Sequence, residues 1–420
     1  MRAEKLAIKG GTPVRTKPFP RRQPFGLDDA LEVIQALNQQ DLFFATAKKV
    51  YEFQRKFAEL YGVKHAVAST SGTSAIHVAL GAINPEPGDE IITTPISDMG
   101  TVAPIVLQNC VPVFADLQLE TFNLDPNSVA DRITDRTRAI IVVHCWGQPA
   151  DLDEIMKAAR RRKRKIHIIE DCAQAHLTRY KGKLAGSIGD LGAFSLQASK
   201  HLNCGDGGVT ITNDDKFGQR AHLFVDKGCD WTEDRKYRLR YAFFAPCYRM
   251  TELQGAVLCS QLRRLEWIVK QRQRLGDMLV AKLQGLKGIH PPKRFKDREH
   301  SYWSFPLRID EEKAGVSPDK FCEALRAEGV GIGGPWPGKP LYMFESMTEK
   351  ITFGSSHCPF DHYAADRKIE YGEGLCPVAE LAEKQLRSIG INEHYSEADI
   401  EDIARAVRKV AAAFKTKRNK

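Results

Sequence analysis

Two residues carry the clearest signs of chemistry in this sequence, and each follows an apolar run typical of a buried strand. Asp171 ends the run IIED, and Lys200 stands shortly after GAFSL. A carboxylate at the end of a buried strand is costly unless it meets a cation, and a lysine amine can act as a nucleophile. Ligands collect at the carboxyl ends of strands in open α/β sheets, so we expect both side chains to share one site.

This pair matches the needs of pyridoxal phosphate (PLP). In PLP enzymes a carboxylate keeps the pyridine nitrogen protonated, and a lysine carries the cofactor aldehyde as a Schiff base. Each residue alone has a simpler interpretation, because Asp171 could be a cap or a surface ion pair and Lys200 could be solvated. Gln174, Ser195 and the GDGG segment at 205–208 accompany the pair, and this combination favours the cofactor-binding interpretation.

A phosphate-binding segment is predicted at 69–80, STSGTSAIHVAL. A strand end is followed there by Gly72, Thr73 and Ser74 and then by an apolar helix. Backbone N–H groups at a helix start, together with the helix dipole, form an anion site, and hydroxyls add further donors. The alternative is an ordinary Ser/Thr N-cap.

Alternating strands and helices are predicted to position these residues. Seven β-branched runs recur between amphipathic stretches: HAVAS near 65, DEIITT near 89, VPVFAD near 111, AIIVVH near 139, KIHIIED near 165, GAFSL near 192 and GGVTITN near 207. This alternation predicts an α/β lobe with a mainly parallel sheet and helices on both faces. We assign an N-terminal arm to 1–25 and this large PLP-binding domain to 26–270.

The rest of the chain, 271–420, is predicted to form a smaller α+β lobe. The stretch from Thr251 to Leu286 has helix-period apolar positions and no proline, which predicts one long helix or two joined helices between the lobes. The other predicted elements of this lobe lie at 301–309, 317–332 and 396–414.

Composition restricts the class of protein. The chain has 420 residues, of which 42% are hydrophobic, enough to build two packed lobes. No apolar run approaches the roughly 20 residues that span a bilayer, and the start lacks a secretory signal, so we expect a soluble, cytoplasmic protein. Ten cysteines without a C-x-x-C pair indicate free thiols and no metal site.

The net charge of +9 raises the question of nucleic acid as a partner. Much of the excess lies at 160–165 and in the tail from Lys415 to Lys420. Cations at 160–165 complement the end of a predicted helix, and no helix-turn-helix or aromatic-basic pattern is recognisable. We therefore expect neither nucleic acid nor a membrane as a partner, and an anionic small molecule explains the charge equally well.

Five segments, in this order and spacing, carry a resemblance to a known family: SGTSAIHVAL, PVFADLQLETFNLDP, EDCAQAH, GDLGAFSLQASKHLNCGDGG and YRMTELQGAVLCSQL. They resemble the DegT/DnrJ/EryC1/StrS family of PLP-dependent sugar aminotransferases, which have the fold-type I architecture. The resemblance implies a homodimer with its active sites at the subunit interface. It also implies a keto-sugar or keto-cyclitol acceptor and a glutamate or glutamine donor.

The resemblance also implies individual roles. Lys200 is the Schiff-base lysine, and Asp171 is the partner of the pyridine nitrogen. Gln174 would contact the ring hydroxyl, and Ala173 would lie beneath the ring. The implied phosphate-binding residues are Gly72, Thr73, Ser74 and Ser195. Related sugar dehydratases carry histidine at the aligned position of Lys200, so this chain falls on the transaminase side; His201 is the next residue, not the aligned one.

Two implied cofactor contacts differ from the residues usual in the family. Met99 stands where an aromatic ring often stacks on the cofactor, with Asp98 beside it, and a thioether can also pack against a ring face. Cys247 stands where an asparagine typically reaches the cofactor phosphate of the neighbouring subunit. A thiol is a poor donor, so Arg249 is an alternative donor at that position.

The acceptor and two other functions stay open at this point. His300, Tyr302, Trp303 and Trp336 suit a polyol ring, or they are core aromatics of the small lobe. The acceptor could be a nucleotide-linked keto-sugar, an inosose or a keto-acid sugar of the Kdo type. The alternative functions are a PLP-dependent sugar dehydratase and a non-catalytic PLP-binding regulatory protein.

Overall fold

Thirteen strands and fourteen α-helices occur in the part of the chain that the computed structural model describes, residues 4–231, 241–334, 336–363 and 369–415. The strands are β1 (His65–Ser69), β2 (Glu90–Thr93), β3 (Val111–Phe114), β4 (Thr137–Val143), β5 (His167–Asp171), β6 (Arg179–Tyr180), β7 (Lys183–Leu184), β8 (Leu191–Ser195), β9 (Gly208–Thr212), β10 (Ile289–His290), β11 (Arg298–Glu299), β12 (Phe305–Ile309) and β13 (Leu386–Ile389). The helices are α1 (Leu27–Asn38), α2 (Lys49–Tyr61), α3 (Gly72–Ile83), α4 (Ala103–Leu107), α5 (Pro126–Arg132), α6 (Leu152–Ala159), α7 (Asp215–Phe224), α8 (Glu252–Leu283), α9 (Glu311–Ala314), α10 (Pro318–Ala327), α11 (Glu345–Thr348), α12 (Phe360–Tyr363), α13 (Pro377–Gln385) and α14 (Glu397–Lys415).

The central sheet contains all seven strands predicted for the large lobe, in the order β1-β9-β8-β5-β4-β2-β3. The neighbouring strands β8, β5, β4, β2 and β3 are all parallel to one another, whereas β9 runs antiparallel to both β8 and β1. The predicted mainly parallel α/β sheet is therefore confirmed. Because β5 and β8 are parallel neighbours, with Asp171 opposite Ala193, the loops that follow them lie at the same edge of the sheet.

Helices cover both faces of this sheet. On one face, α2 and α8 pack against it, and the rings of Phe57 and Phe194 meet at 5.2 Å. On the other face, α3 and α7 pack against it, with Leu80 and Phe224 in a shared core. Full burial of such a side chain stabilises the fold by roughly 1.5–3 kcal/mol, so these faces fix the sheet edge that carries the site.

The predicted long helix is a single element, α8, of 32 residues. Thr251 caps its start, because the Thr251 Oγ1 accepts from the Gln254 N–H while the Gln254 Oε1 accepts from the Thr251 N–H. This reciprocal arrangement satisfies two donors at the helix start. The domain boundary expected at 270 falls inside this continuous helix.

The C-terminal part of the chain contains an antiparallel sheet of order β10-β12-β13. Its core joins Leu279 of α8, Phe321 of α10 and Val407 of α14. Leu6, in the stretch expected to be an N-terminal arm, is buried in the same core. A third sheet connects the two parts of the chain, because β11 pairs with β6.

The structure also shows the state of the basic segment, of the cysteines and of the helices considered as membrane spans. The basic segment at 160–165 follows α6, and Arg164 donates two hydrogen bonds of 2.8 Å to Asp89. The ten cysteines are free thiols. Among the described helices, none is both long and apolar enough to cross a membrane.

Candidate active site

A cavity of about 380 Å³ lies at the carboxyl edge of the central sheet. Its walls come from the end of β5, the loop after β8, the start of α3 and the segment 97–101, and two tryptophans of the C-terminal part complete it. Asp171 and Lys200 both line it. The structure thus brings together the two residues expected to carry the chemistry.

Asp171 lies at the floor of the cavity and is 3% exposed. Its Oδ1 accepts from the Ala173 N–H at 3.0 Å, and its Oδ2 accepts from the Thr101 hydroxyl at 2.9 Å. Burial raises the pKa of Asp171, although these two hydrogen bonds and the charge of Lys200 act in the opposite direction. A buried carboxylate held in one orientation suits a cationic partner from the cavity.

Lys200 extends into the same cavity from the loop after β8. Burial of its amine lowers the pKa to about 8, while the charges of Asp171 and Asp98 act to raise it. A neutral amine is the form that attacks an aldehyde or accepts a proton. Lys200 therefore has a far larger neutral fraction near neutral pH than an exposed lysine.

Two glycines, Gly72 at the start of α3 and Gly100 opposite it, leave room for a cradle at the cavity wall. A Cβ added to Gly72 would lie 2.6 Å from the Cβ of Ser195, and one added to Gly100 would lie 2.4 Å from the Oγ1 of Thr73. The N–H groups of Gly72 and Thr73, in the first turn, have no intrahelical acceptor. With the hydroxyls of Thr73 and Ser195 on the cavity wall, this cradle offers donors to an anion.

Ser74, expected to bind phosphate, is instead used inside the helix cap. Its hydroxyl donates to the Ser71 carbonyl oxygen and accepts from the Ser71 N–H, both at 2.8 Å. The Ser71 hydroxyl in turn accepts from the Ser74 N–H at 3.0 Å. The cavity wall, as far as the structure describes it, includes Ser71 but not Ser74. The Ser74 side chain therefore acts as part of the N-cap, whereas Gly72 and Thr73 beside it face the cavity.

Met99 and Cys247 lie apart from the cavity wall that the described residues form. Met99 packs beside a buried apolar cluster that contains Ile96 and Val102, while its neighbours Asp98 and Gly100 line the cavity. Cys247 is exposed and precedes α8.

The alternative donor Arg249 also lies outside this cavity wall. It faces Asp226, with 3.5 Å between the Nη1 and the Oδ2. The guanidinium also lies over the ring of Phe43, 5.2 Å from its centroid.

Gln174 and Ala173 both line the cavity. The Gln174 Oε1 accepts from the Trp146 N–H at 2.7 Å, so the amide group is oriented by the backbone and its NH₂ end is the one left for a ligand. Trp146 adopts a left-handed conformation at φ 61°, which places this N–H. His201 faces away from the cavity, because its buried Nε2 lies 3.0 Å from the Ser301 carbonyl oxygen.

The four residues considered for substrate binding divide into two pairs. Trp303 and Trp336 line the cavity. Tyr302 is buried in the core of the C-terminal part, where its hydroxyl donates to Asp277 at 2.7 Å. His300 stacks on Tyr302 at 4.0 Å and lines a different cavity. The core interpretation therefore describes Tyr302, whereas His300 packs against that core at the wall of the other cavity. The ligand-facing interpretation describes the two tryptophans.

Sequence reasoning missed several residues of this wall. Thr101 holds Asp171, and Ser97 lies 2.8 Å from the Thr101 hydroxyl, yet neither stands in a pattern that signals function. Ser199 and Asp206 flank Lys200 in the sequence and also line the cavity. Proximity to the lysine was the available signal for these two.

The residues present fit PLP by their chemistry. The buried carboxylate of Asp171 matches a pyridinium nitrogen, the Lys200 amine matches an aldehyde, and the cradle at Gly72 matches a phosphate. Three buried residues close to Asp171 could in principle hold a metal ion, because the ligand atoms of His144, Glu170 and Cys172 lie within 4.8 Å of one another. The imidazole and the carboxylate among them are already hydrogen-bonded without one. The Glu170 carboxylate there already accepts from three backbone N–H groups and faces the His144 Nε2 at 3.0 Å.

Gly72→Ala is expected to weaken PLP binding at least tenfold, because the new methyl group would collide with Ser195 in the cradle. Fluorescence or absorbance titration of the cofactor-free protein with PLP measures the effect. Gly331→Ala is the matched control, since a Cβ there meets no atom within 4 Å. Equal PLP affinity of Gly72→Ala and the control would contradict the assignment of the cradle.

Comparison with known proteins gives the same picture. A model of the DegT/DnrJ/EryC1/StrS aminotransferase family matches residues 27–408. The chain is 34% identical over 423 residues to a putative L-glutamine:3-amino-2,3-dideoxy-scyllo-inosose aminotransferase from Micromonospora echinospora, covering 97% of each chain. It is 35% identical over 282 residues to GDP-perosamine synthase from Caulobacter vibrioides, covering 67% of this chain and 74% of the relative.

The solved structure of an aminotransferase from Psychrobacter cryohalolentis is also similar, with a TM-score of 0.80 and 26% identity. The match covers 96% of this chain and 100% of that one. The residues matched by the family model include the cavity and its two central residues, and the relatives and the solved structure each cover two thirds or more of the chain. The chain belongs to the DegT/DnrJ/EryC1/StrS aminotransferase family.

Proposed function

We propose that this protein is a PLP-dependent aminotransferase that moves an amino group from L-glutamine or L-glutamate to a ketone of a sugar-like substrate. The main support for the proposal is that Asp171, Lys200 and the start of α3 line the same cavity. The names of the relatives support it, since one is named a putative L-glutamine:3-amino-2,3-dideoxy-scyllo-inosose aminotransferase and another GDP-perosamine synthase.

PLP, when bound, would supply an electron sink and carry the amino group between donor and acceptor. Asp171 would hold the pyridine nitrogen protonated, because the carboxylate is buried and fixed by Thr101 and Ala173. Gly72 and Thr73 would bind the phosphate through the start of α3. Gln174 would contact the ring hydroxyl with its amide NH₂. These residues orient the cofactor relative to Lys200.

Lys200 would hold and move the proton. Its Nζ would hold the cofactor at rest and, when free, would take a proton from the α-carbon of the amino donor in one half of the reaction. In the other half it would give a proton to the carbon of the acceptor that gains the amine. A base of pKa about 8 lies close to the working pH and can exist in both protonation states. The charge of Asp171 nearby stabilises the protonated form between these steps.

The remaining wall suits a polyol acceptor. Trp303 and Trp336 offer flat apolar faces, and Ser97, Asp98 and Asp206 offer polar groups on the same cavity. Sugar and cyclitol rings present both an apolar face of C–H groups and a rim of hydroxyls, so this mixture of surfaces complements them.

Product analysis tests the proposal. The protein loaded with PLP is incubated with L-glutamine and a panel of keto-cyclitols and nucleotide-linked keto-sugars, and products are identified by mass spectrometry. We expect at least one acceptor to exchange its ketone oxygen for an amine. Loss of water without gain of nitrogen would instead favour the dehydratase. No product from any acceptor, with salt-dependent binding to DNA, would favour the regulatory protein.

We further infer that two copies of the chain form a homodimer. Helix α1 carries an exposed apolar stripe at helical spacing, formed by Leu27, Leu31, Ile34 and Leu37. Exposed apolar stripes of this kind mark interaction surfaces. Cys247 is exposed and outside this chain's own cavity wall, as expected of a residue that faces the site of a partner.

Ile34→Asp is expected to shift the protein from dimer to monomer, because a carboxylate would be desolvated at the interface. Sedimentation velocity at micromolar concentration measures the change. Ile351→Asp is the matched control, since Ile351 has a similar exposure, 58% against 50%, and belongs to the loop after α11 rather than to α1. A wild-type monomer, or equal dissociation of both variants, would contradict this interface.

A further inference from the structure

Trp303 makes the closest described ring contact with the catalytic amine. The Lys200 Nζ lies over the indole face, 4.0 Å from the ring centroid. The quadrupole of an indole ring attracts a cation placed over its face, and the attraction grows when water is excluded. The contact joins the small lobe directly to the atom expected to do the chemistry.

The ring is held in this position by bonds that need no ligand. Its Nε1–H donates to the Ser199 carbonyl oxygen at 3.0 Å, on the residue before Lys200. Its backbone N–H donates to the Trp146 carbonyl oxygen at 3.0 Å, and its carbonyl oxygen accepts from the Arg272 Nη1 at 3.1 Å. Trp146 also stacks on it at 5.5 Å with an interplanar angle of 22°. The indole is therefore a prearranged surface.

The loop that carries the lysine is held from its other side as well. Arg22 of the N-terminal segment donates to the carbonyl oxygens of Ala198 and His201, at 3.1 and 2.9 Å. Because carbonyl groups on both sides of Lys200 are bonded, the loop cannot easily move away from the indole. The lysine side chain itself remains the movable part.

We propose that Trp303 is a positioning residue that receives the free amine of Lys200 on its indole face whenever the lysine is detached from the cofactor. The proposal rests on the proposed function, since a lysine that is released and reattached in each cycle needs a defined place to wait. The indole face would compensate part of the cost of removing the ammonium from water, so the amine can hold a proton there.

The other groups near the amine either raise the pKa of Lys200 or carry no charge. Asp171 and Asp98 attract the protonated form, and Asp206 lines the same cavity. Behind the loop, burial lowers the pKa of His176 to about 3, so this ring is neutral at working pH. A change in the Lys200 pKa on replacing Trp303, with these groups left in place, therefore reports on the indole.

The test uses the cofactor-free protein. Trace acetylation with acetic anhydride is followed from pH 6 to 11, and mass spectrometry of the peptide that contains Lys200 gives the pKa of its amine. We compare wild type with Trp303→Leu and Trp303→Phe. Trp303→Leu should lower the pKa by roughly one unit, because the attraction for the ammonium is lost. Trp303→Phe keeps an aromatic face and should stay within about half a unit of wild type.

Trp336→Leu is the matched control, since Trp336 lines the same cavity and packs edge-on against the Trp303 ring, 5.9 Å between centroids, while the bonds of Trp303 to Ser199, Trp146 and Arg272 do not involve it. It should leave the pKa unchanged or raise it, because rehydration favours the ammonium. A pKa in Trp303→Leu equal to or above that of wild type would overturn the proposal, as would a Trp303→Phe value equal to that of Trp303→Leu. Failure of the protein to bind PLP would instead contradict the proposed function and leave this measurement valid.

Discussion

Lys200→Ala is expected to abolish multiple-turnover amino transfer, with a loss of about 10³-fold or more. The methyl group can neither attach the cofactor aldehyde nor carry a proton between donor and acceptor. The fold should survive, because none of the ion pairs among the described residues includes Lys200, Asp171 keeps its hydrogen bonds to Thr101 and Ala173, and burial already disfavours the charge of Lys200. Steady-state amine formation with L-glutamine measures the first effect, and thermal unfolding measures the second.

Lys200→Arg is the companion variant. Arginine keeps the positive charge but stays protonated at any working pH, so it can neither attack an aldehyde nor accept a proton. It should be as inactive as Lys200→Ala, which separates the need for a neutral amine from the need for a charge. Sustained turnover in either variant, with the product amine verified, would refute the role assigned to this lysine.

Glu393→Ala should produce the largest loss of stability, about 3–5 kcal/mol in the free energy of unfolding. The Glu393 side chain is 2% exposed and lies 2.8 Å from the Arg22 Nε and 2.9 Å from the Arg272 Nη2. Arg272 is itself 3% exposed, so the variant leaves a buried guanidinium without its counter-ion. Urea unfolding followed by circular dichroism measures the change.

An exposed ion pair provides the matched control. Arg55 and Glu59 lie 2.9 Å apart on α2, with about 60% of each side chain exposed, and Glu59→Ala should cost less than about 1 kcal/mol. If Glu393→Ala and Glu59→Ala had similar small effects, the buried pair would not tie the N-terminal segment to the small lobe.

The pH dependence of the Glu393 contribution follows from its pKa. Burial alone would raise that pKa, but the charges of Arg272 and Arg22 outweigh it and lower the pKa below its ordinary value. A carboxylate with a lowered folded-state pKa contributes stability above its unfolded pKa and loses it as the pH falls. The difference between wild type and Glu393→Ala should therefore shrink in acid, below about pH 4.

The central sheet was predictable from the sequence because its strands are short, β-branched and separated by turn residues and helices. The same local patterns placed Asp171 at the end of β5 and Lys200 after β8, and parallel pairing of these strands brings them together. By contrast, the two-residue strands β6, β7, β10 and β11 are too short to produce a periodic pattern.

The parts of the site that sequence reasoning missed depend on contacts between distant segments. Thr101 bonds Asp171 across 70 positions, and Trp303 bonds Ser199 across 104. No local pattern encodes either contact. Ser74 illustrates a different limit, since a hydroxyl at a helix start can serve a ligand or the helix itself, and the sequence does not show the hydrogen bonds that Ser74 makes with Ser71.

The most direct test of the account is the absorbance spectrum of the purified protein incubated with PLP, before and after addition of L-glutamine or L-glutamate. We predict a visible band for wild type that gives way to a band at shorter wavelength when the donor is added, and no such band for Lys200→Ala. A protein that stayed colourless with PLP would contradict the cofactor assignment. A coloured protein that responded to neither donor would contradict amino transfer.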